Sequence, residues 1–304
     1  MSAASLAQSG ILLEGMKFAI FIEARILDYS GLGSKCQQFL SNLKTLQTKN
    51  EKASLGAVVA FGHDSWKSIN KGQGGSELIN FVPLGNDHIS APSTQRDMFI
   101  HIQSLHFDIV FTLAMQASRI FGPSIKVEEE VHGFRWEQER DTTGFIDGTE
   151  NPKGEKDRAD AAIVPDGPDK GGSYILSQRF VHDLKSWEKL AVHTQEKDFG
   201  RTKEKSVELP LDKRNPGAHV TKTDLGDKVV RQSLPYGKAT TGEVGLYFLS
   251  YAKHLSFHAD QLKSMFGGVD GTFDQILNFT KPVTGSYWFA PSLNQLNQLA
   301  KTNL

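Results

Sequence analysis

Apolar positions along the chain alternate between two spacings, and the switches mark the elements. Met16 to Leu27 alternates as a strand does, and Asp97 to Ser104 does so again. Between them, Leu32 to Leu46 places Cys36, Phe39, Leu40, Leu43 and Leu46 at helical spacing. Leu55 to Phe61 reads as a buried strand, and Leu78 to Leu84 as a short apolar segment entering a loop. Phe107 to Phe121 predicts a helix stopped by Gly122-Pro123, followed by a strand from Ile125 to Trp136. The order is β-α-β-β-α-β, the ferredoxin-like pattern of one antiparallel sheet with helices on one face.

The second half repeats that order with longer insertions. Gly144 to Pro152 and a polar loop to Gly172 form the seam. Ser173 to His182 predicts a strand and Leu184 to His193 a helix; Glu196 to Pro216 is polar and irregular. Ala218 to Lys222 and Lys228 to Leu234 predict short strands, and Glu243 to Ala252 a long one. Leu255 to Phe266 predicts a helix, Thr272 to Phe279 a helical turn, and Gly285 to Ala290 a last strand. The expected class is α+β, two tandem ferredoxin-like domains, divided as 1–140 and a ligand-binding 141–304. The amide-rich Ser292 to Leu304 reads as a simple frayed end, the alternative being a docking tag.

Length supports two domains, since 304 residues exceed what one core usually serves. With 34 basic and 35 acidic residues the net charge is −1, which leaves no electrostatic footprint for nucleic acid or an anionic membrane. No apolar run is long enough to span a bilayer, and no export signal is evident at the start. A lone cysteine, Cys36, excludes an internal disulfide, a CxxC redox pair and a CxxCH haem attachment. It reads as a buried small hydrophobe on a helix, and the whole fits a reducing cytoplasm.

Candidate chemistry concentrates in three segments. Gly144 to Pro152 sets Asp147 between an apolar Ile146 and Gly148, a place where a short acid can acquire proton-transfer work. On local chemistry alone it is an Asp-Gly turn closed by proline. His219 follows a Pro-Gly turn, placed to start a strand facing a cavity. Arg231 follows two valines, so it is edge-exposed or else buried against an anion. His254 and His258 have a metal-capable spacing but no carboxylate frame, and a solvated helix face is the better reading. P-loop, dinucleotide, GxSxG and HExxH motifs are absent.

Together these segments resemble the dye-decolorizing haem peroxidases, most closely the cytoplasmic bacterial type. Gly144-x-x-Asp147-Gly148 is similar to that family's GxxDG signature, Asn215-Pro-Gly-Ala-His219-Val to its proximal-histidine segment, and Arg231-Gln-Ser-Leu-Pro-Tyr-Gly to its distal-arginine segment. Phe199-Gly-Arg201-Thr-Lys203 and Val283-Thr-Gly-Ser-Tyr-Trp-Phe-Ala-Pro291 match as well. The resemblance implies tandem ferredoxin-like domains and a non-covalent haem b. It implies peroxide reduction through an oxyferryl intermediate, with one-electron oxidation of dyes and phenols. By the same likeness His219 is the proximal iron ligand, Asp274 bonds its other ring nitrogen, and Asp147 and Arg231 form the distal catalytic pair. Arg201 and Asn151 are expected to hold haem propionates, and Leu246 and Phe248 to line the distal pocket. Ser233 stands where some relatives carry Asn, which leaves a third distal donor open. Trp136, Trp187, Trp288, Tyr174, Tyr247 and Tyr251 are candidates for passing electrons from the surface, against a prior of core packing. A homo-oligomer is implied too. The alternative is a haem-handling protein, a carrier or deferrochelatase-like, using the same pocket.

Overall fold

The computed structural model describes residues 1–71 and 73–301. The first half runs β1 (Phe18–Ile26), α1 (Leu32–Lys49), β2 (Gly56–Phe61), α2 (His63–Ile69), β3 (Leu84–Gly85), β4 (Ser90–Ala91), β5 (Met98–Ser104), α3 (Phe107–Phe121) and β6 (Ile125–Phe134). The second runs α4 (Gly154–Ala162), β7 (Ser173–His182), α5 (Leu184–Trp187), α6 (Val192–Phe199), α7 (His219–Thr223), β8 (Val230–Arg231), β9 (Leu234–Lys238), β10 (Glu243–Ala252), α8 (Leu255–Met265), β11 (Thr280–Pro282), β12 (Ser286–Ala290) and α9 (Leu293–Lys301).

Ten strands form one antiparallel sheet in the order β6-β1-β5-β2-β12-β7-β10-β8, with β11 beside β7 and β9 beside β10. Each half contributes four positions in the same relative order, fourth, first, third, second, as the β-α-β-β-α-β pattern predicts. The halves join where Phe61 of β2 pairs Phe289 of β12.

Alternation along β1 shows how the layers arise. Ile20 and Ile22 face a core shared with Phe39 of α1 and Val110, Leu113 and Phe121 of α3. Ala19 and Phe21 face a second core that gathers side chains from β2, β5, β6, β7, β8, β9, β10 and β12. That second core is the inside of a curled sheet. Its closure brings β6 onto β9 at Gly133, where a Cβ would meet the Leu234 Cβ at 2.8 Å.

The inner core holds polar groups tied to one another. Tyr247 donates to Glu23 Oε1 at 2.7 Å, and Ser177, which accepts from the Trp288 indole at 2.9 Å, donates to the same oxygen at 3.2 Å. Burial pushes the Glu23 carboxyl up to about 7, despite the Tyr247 hydrogen bond that lowers it. Phe21 stacks between Tyr247, at 4.1 Å, and His101, at 5.1 Å, and His101 Nδ1 bonds the Tyr251 hydroxyl at 2.9 Å.

Cys36 is fully buried on α1, as expected. Five of the six candidate relay residues, Trp187, Trp288, Tyr174, Tyr247 and Tyr251, are core residues, which leaves Trp136 as the partly exposed one. Other expectations need correction. Ala218 to Lys222 is not a strand but the start of α7: an Asn215-Pro216-Gly217 turn, with Ala218 N–H on the Asn215 carbonyl at 2.9 Å, feeds a helical turn. Leu184 to His193 breaks into α5 and the start of α6. α2 and α4, which carry weak apolar periodicity, were not predicted. The amide-rich tail is α9 through Lys301, burying Leu296 and Leu299, and the remainder of that segment lies outside the described residues. His258 is buried against the Ser250 hydroxyl and the Tyr174 carbonyl, not solvated. No cluster of possible metal ligands, and no helix long and apolar enough to cross a membrane, occurs among the described residues.

Candidate functional site

A cavity of about 1530 Å³, open mouth included, lies between the β7–β10 face of the sheet and the helices α7 and α8. Leu176, Phe180, Leu246, Phe248, Leu262 and Met265 make its walls largely apolar. Asp147, Arg231, His219 and Arg201 reach it as well, so residues far apart in sequence converge on one space.

Asp147 is held by a small hairpin. Arg140 bridges Ile146, and the Asp147 N–H donates to the Glu139 carbonyl at 2.9 Å. Gly144 and Gly148 have φ of +89° and +78°, a region where a side chain is strained, so the two glycines set this turn. Among the described residues the Asp147 carboxylate has no hydrogen bond of its own. It stands 3.9 Å from the Arg231 guanidinium; both are about a quarter exposed, and both line the cavity and a neighbouring cleft. That is an ion pair too long to be a hydrogen bond, so both side chains keep their hydrogen-bonding capacity for a ligand.

Arg231 is fixed through its backbone. Asn151 accepts from the Arg231 N–H at 2.9 Å and donates to its carbonyl at 2.8 Å, acting as a one-residue strand partner. Both amide atoms are thereby engaged, and Asn151 lines a neighbouring cleft and not the cavity. Ser233 lies on that cleft too. Its hydroxyl accepts from Leu249 N–H at 3.1 Å, filling the gap between the β8 and β9 ladders on β10.

His219 opens α7 with its Nδ1 2.7 Å from Asp274 Oδ2. Asp274 is fully buried, and its other oxygen caps the 3₁₀ turn Gln275–Asn278 through the Ile276 N–H at 3.1 Å. One carboxylate therefore fixes a helical turn and a ring at once. Since a carboxylate only accepts, the neutral ring places its proton on Nδ1, facing Asp274, and its lone pair on Nε2. The Phe199 ring lies 5.2 Å from the imidazole and Phe145 stacks on Phe199 at 4.2 Å, wedging the ring in place. Gly217 accepts from Gln275 N–H at 2.8 Å, which ties the start of α7 to the same turn.

At the cavity rim Arg201 is 6% exposed and bonds Glu150 at 2.8 Å, Glu208 at 3.1 Å and the Ser206 carbonyl at 2.9 Å. Farther along the wall His182 pairs with buried Asp141 at 3.1 Å and with Thr280 at 2.7 Å. Burial raises the Asp141 carboxyl, but the His182 charge and the Thr143 hydrogen bonds outweigh it and hold the group below the usual range. Sequence reasoning missed this pair and the Glu150 partner of Arg201, because no local spacing joins residues 41 and 51 positions apart.

The sequence model described as Dyp-type peroxidase, C-terminal, matches residues 138–295, and its N-terminal counterpart matches residues 8–135. The chain belongs to the Dyp-type peroxidase family. A dye-decolorizing peroxidase of Brevibacterium linens is 34% identical over 281 residues, covering 88% of this chain and 76% of the relative. One from Mycobacterium tuberculosis is 36% identical over 251 residues, 80% of this chain and 75% of the relative. Among solved structures, a dye-decolorizing protein from V. cholerae superposes with a TM-score of 0.90 at 38% identity, covering 96% of this chain and 99% of that one. An aspartate-to-alanine variant of DypB from Rhodococcus jostii RHA1, in complex with heme, superposes at 0.88 with 32% identity, covering 96% and 98%. Both halves of this Dyp-type peroxidase are thus matched, and the cavity lies within the C-terminal match.

Proposed function

We propose that this Dyp-type peroxidase binds a non-covalent haem b in the cavity between β10 and α7–α8, and uses it to reduce hydrogen peroxide while oxidising small organic or dye donors. The observation that carries the proposal is the His219–Asp274 bond facing the same cavity as the loose Asp147–Arg231 pair. The donor set fits the group: an imidazole Nε2 with a free lone pair for iron, apolar walls for the macrocycle, and a buried guanidinium at the rim. Bound there, haem would supply the redox chemistry with peroxide.

The chain's own residues do the rest. His219 presents Nε2 to the metal, and Asp274 raises its basicity by accepting the Nδ1 proton. Asp147 takes a proton from hydrogen peroxide and delivers it to the departing oxygen. Arg231 places positive charge where negative charge builds on that oxygen. Arg201 would hold a propionate in place of Glu150 or Glu208. Leu246 and Phe248 limit water beside the reacting pair. Asn151 holds the Arg231 backbone, in place of the propionate contact expected of it, and Ser233 supplies no third donor. A homo-oligomer in the cytoplasm completes the reading.

The test is the absorption spectrum of hemin-saturated protein before and after one equivalent of peroxide. His219→Ala should change the ferric spectrum. Asp147→Asn should keep haem and slow the peroxide reaction by about 10²- to 10⁴-fold. Haem bound but inert to peroxide would favour haem handling, and an unaltered rate in Asp147→Asn would remove that residue from the chemistry.

A further inference from the structure

The outer face of α3 carries large apolar side chains in the open at regular spacing. Phe107, Phe111 and Met115, four residues apart, are 39%, 41% and 41% exposed. The outer face of α1, by contrast, shows Gln38, Ser41, Lys44, Thr45 and Thr48. The stripe does not end with the helix. His132 of β6 lies with its ring 5.7 Å from Phe107 and 6.2 Å from Phe111, and Val127 at the other end of β6 is 47% exposed. The apolar part comes to roughly 300 Å², the size at which a patch on a monomer tends to be functional.

Two charges flank the stripe. Asp108 and Arg119 are exposed, and neither forms an ion pair among the described residues. Helix polarity accounts for an acid at the start and a base at the end of α3, but not for the apolar residues between them. Eleven residues at 100° each bring Arg119 to within about 20° of the bearing of Asp108, about 16 Å further along the axis. Both therefore sit on the same edge of the stripe.

That arrangement is complementary to itself. Lay a second copy across the face with its α3 antiparallel, and place the two-fold axis in the contact plane at the level of Leu113. Phe111 then meets the partner's Met115, and Asp108 comes level, within one residue, with the partner's Arg119. The axis repeats both contacts at the other end, as an isologous interface requires.

We infer that α3 and the adjoining flank of β6 form a homodimer interface in which α3 pairs antiparallel with its counterpart in a second copy of this chain. This gives the homo-oligomer proposed above a location and is independent of the haem chemistry. A standard interface takes about 800 Å² from each partner, so the stripe is its centre, with His132, Val127 and the charged edge around it.

Sedimentation velocity on the full chain, from about 1 to 100 μM, tests this directly. The wild type should shift from monomer to dimer across that range, and Phe111→Glu should stay monomeric with an unchanged circular dichroism spectrum. Met115→Lys serves the same purpose should Phe111→Glu fail to fold. Asp108→Arg and Arg119→Asp should each weaken association about tenfold by setting like charges together, and the double exchange should restore it. A wild type monomeric throughout, a Phe111→Glu or Met115→Lys variant that dimerises normally, or a double exchange that stays weak would each overturn the inference. Loss of the peroxide reaction with dimerisation intact would bear only on the haem reading.

Discussion

Polar residues next to Arg231 divide into those that face the cavity and those that brace it. Asp147 and Arg231 keep free hydrogen-bonding capacity, while Asn151 and Ser233 spend theirs on backbone. Ser233→Ala should therefore cost about 1 kcal/mol of stability, one ladder hydrogen bond, and leave the peroxide rate unchanged. A large rate loss, measured by stopped flow at equal haem loading, would place the hydroxyl in the chemistry. At this scale much was legible. Motif likeness selected Asp147, Arg231, His219, Arg201, Leu246 and Phe248, and all six line one cavity. Asp274 lies behind His219 at hydrogen-bond distance. Identity alone does not tell a side chain that faces the cavity from one that turns back on the chain, as Asn151 and Ser233 do here.

Elements were legible where periodicity was long. α1, α3, β7 and β10 each span ten residues or more, and each lies where the sequence predicts it. α7 has five residues, too few for any period to show, and its helical turn is set by the Pro-Gly turn before it and by the Gln275 bond behind it. Closure of the sheet was not legible at all, because β6 and β9 meet through packing, without a ladder. Gly133 marks the place: an added Cβ would lie 2.8 Å from Leu234 and 3.0 Å from Phe21. Gly133→Ala should destabilise the fold by about 1–3 kcal/mol through overpacking, read from the urea midpoint. Leu234→Ala in the same chain should recover part of that loss, and no recovery would locate the strain elsewhere.

Across the whole molecule, the inner core gives stability a pH dependence. Glu23 has its carboxyl raised from 4.5 to about 7 by burial, so the folded protein binds this proton more tightly than the unfolded chain. The contribution is complete below about 4.5 and is lost as pH rises through about 7. Between pH 5 and 8 the wild type should lose on the order of 2–3 kcal/mol on this account, and Glu23→Gln, which cannot ionise, should lose correspondingly less. Parallel urea titrations at the two pH values decide it, and equal losses in both proteins would exclude Glu23 as the source.

Every residue lining the cavity lies beyond position 140, yet the strands that form the cavity floor turn their other face to side chains from the first half. The first half thus works as a permanently attached mould. Cut away from it, the second half would keep its reactive residues and lose the surface that backs β7 and β10 beneath them. Substitutions inside the first half therefore change how firmly the reactive groups are held and leave their identities alone, so the chain can drift there in stability without rewriting its chemistry.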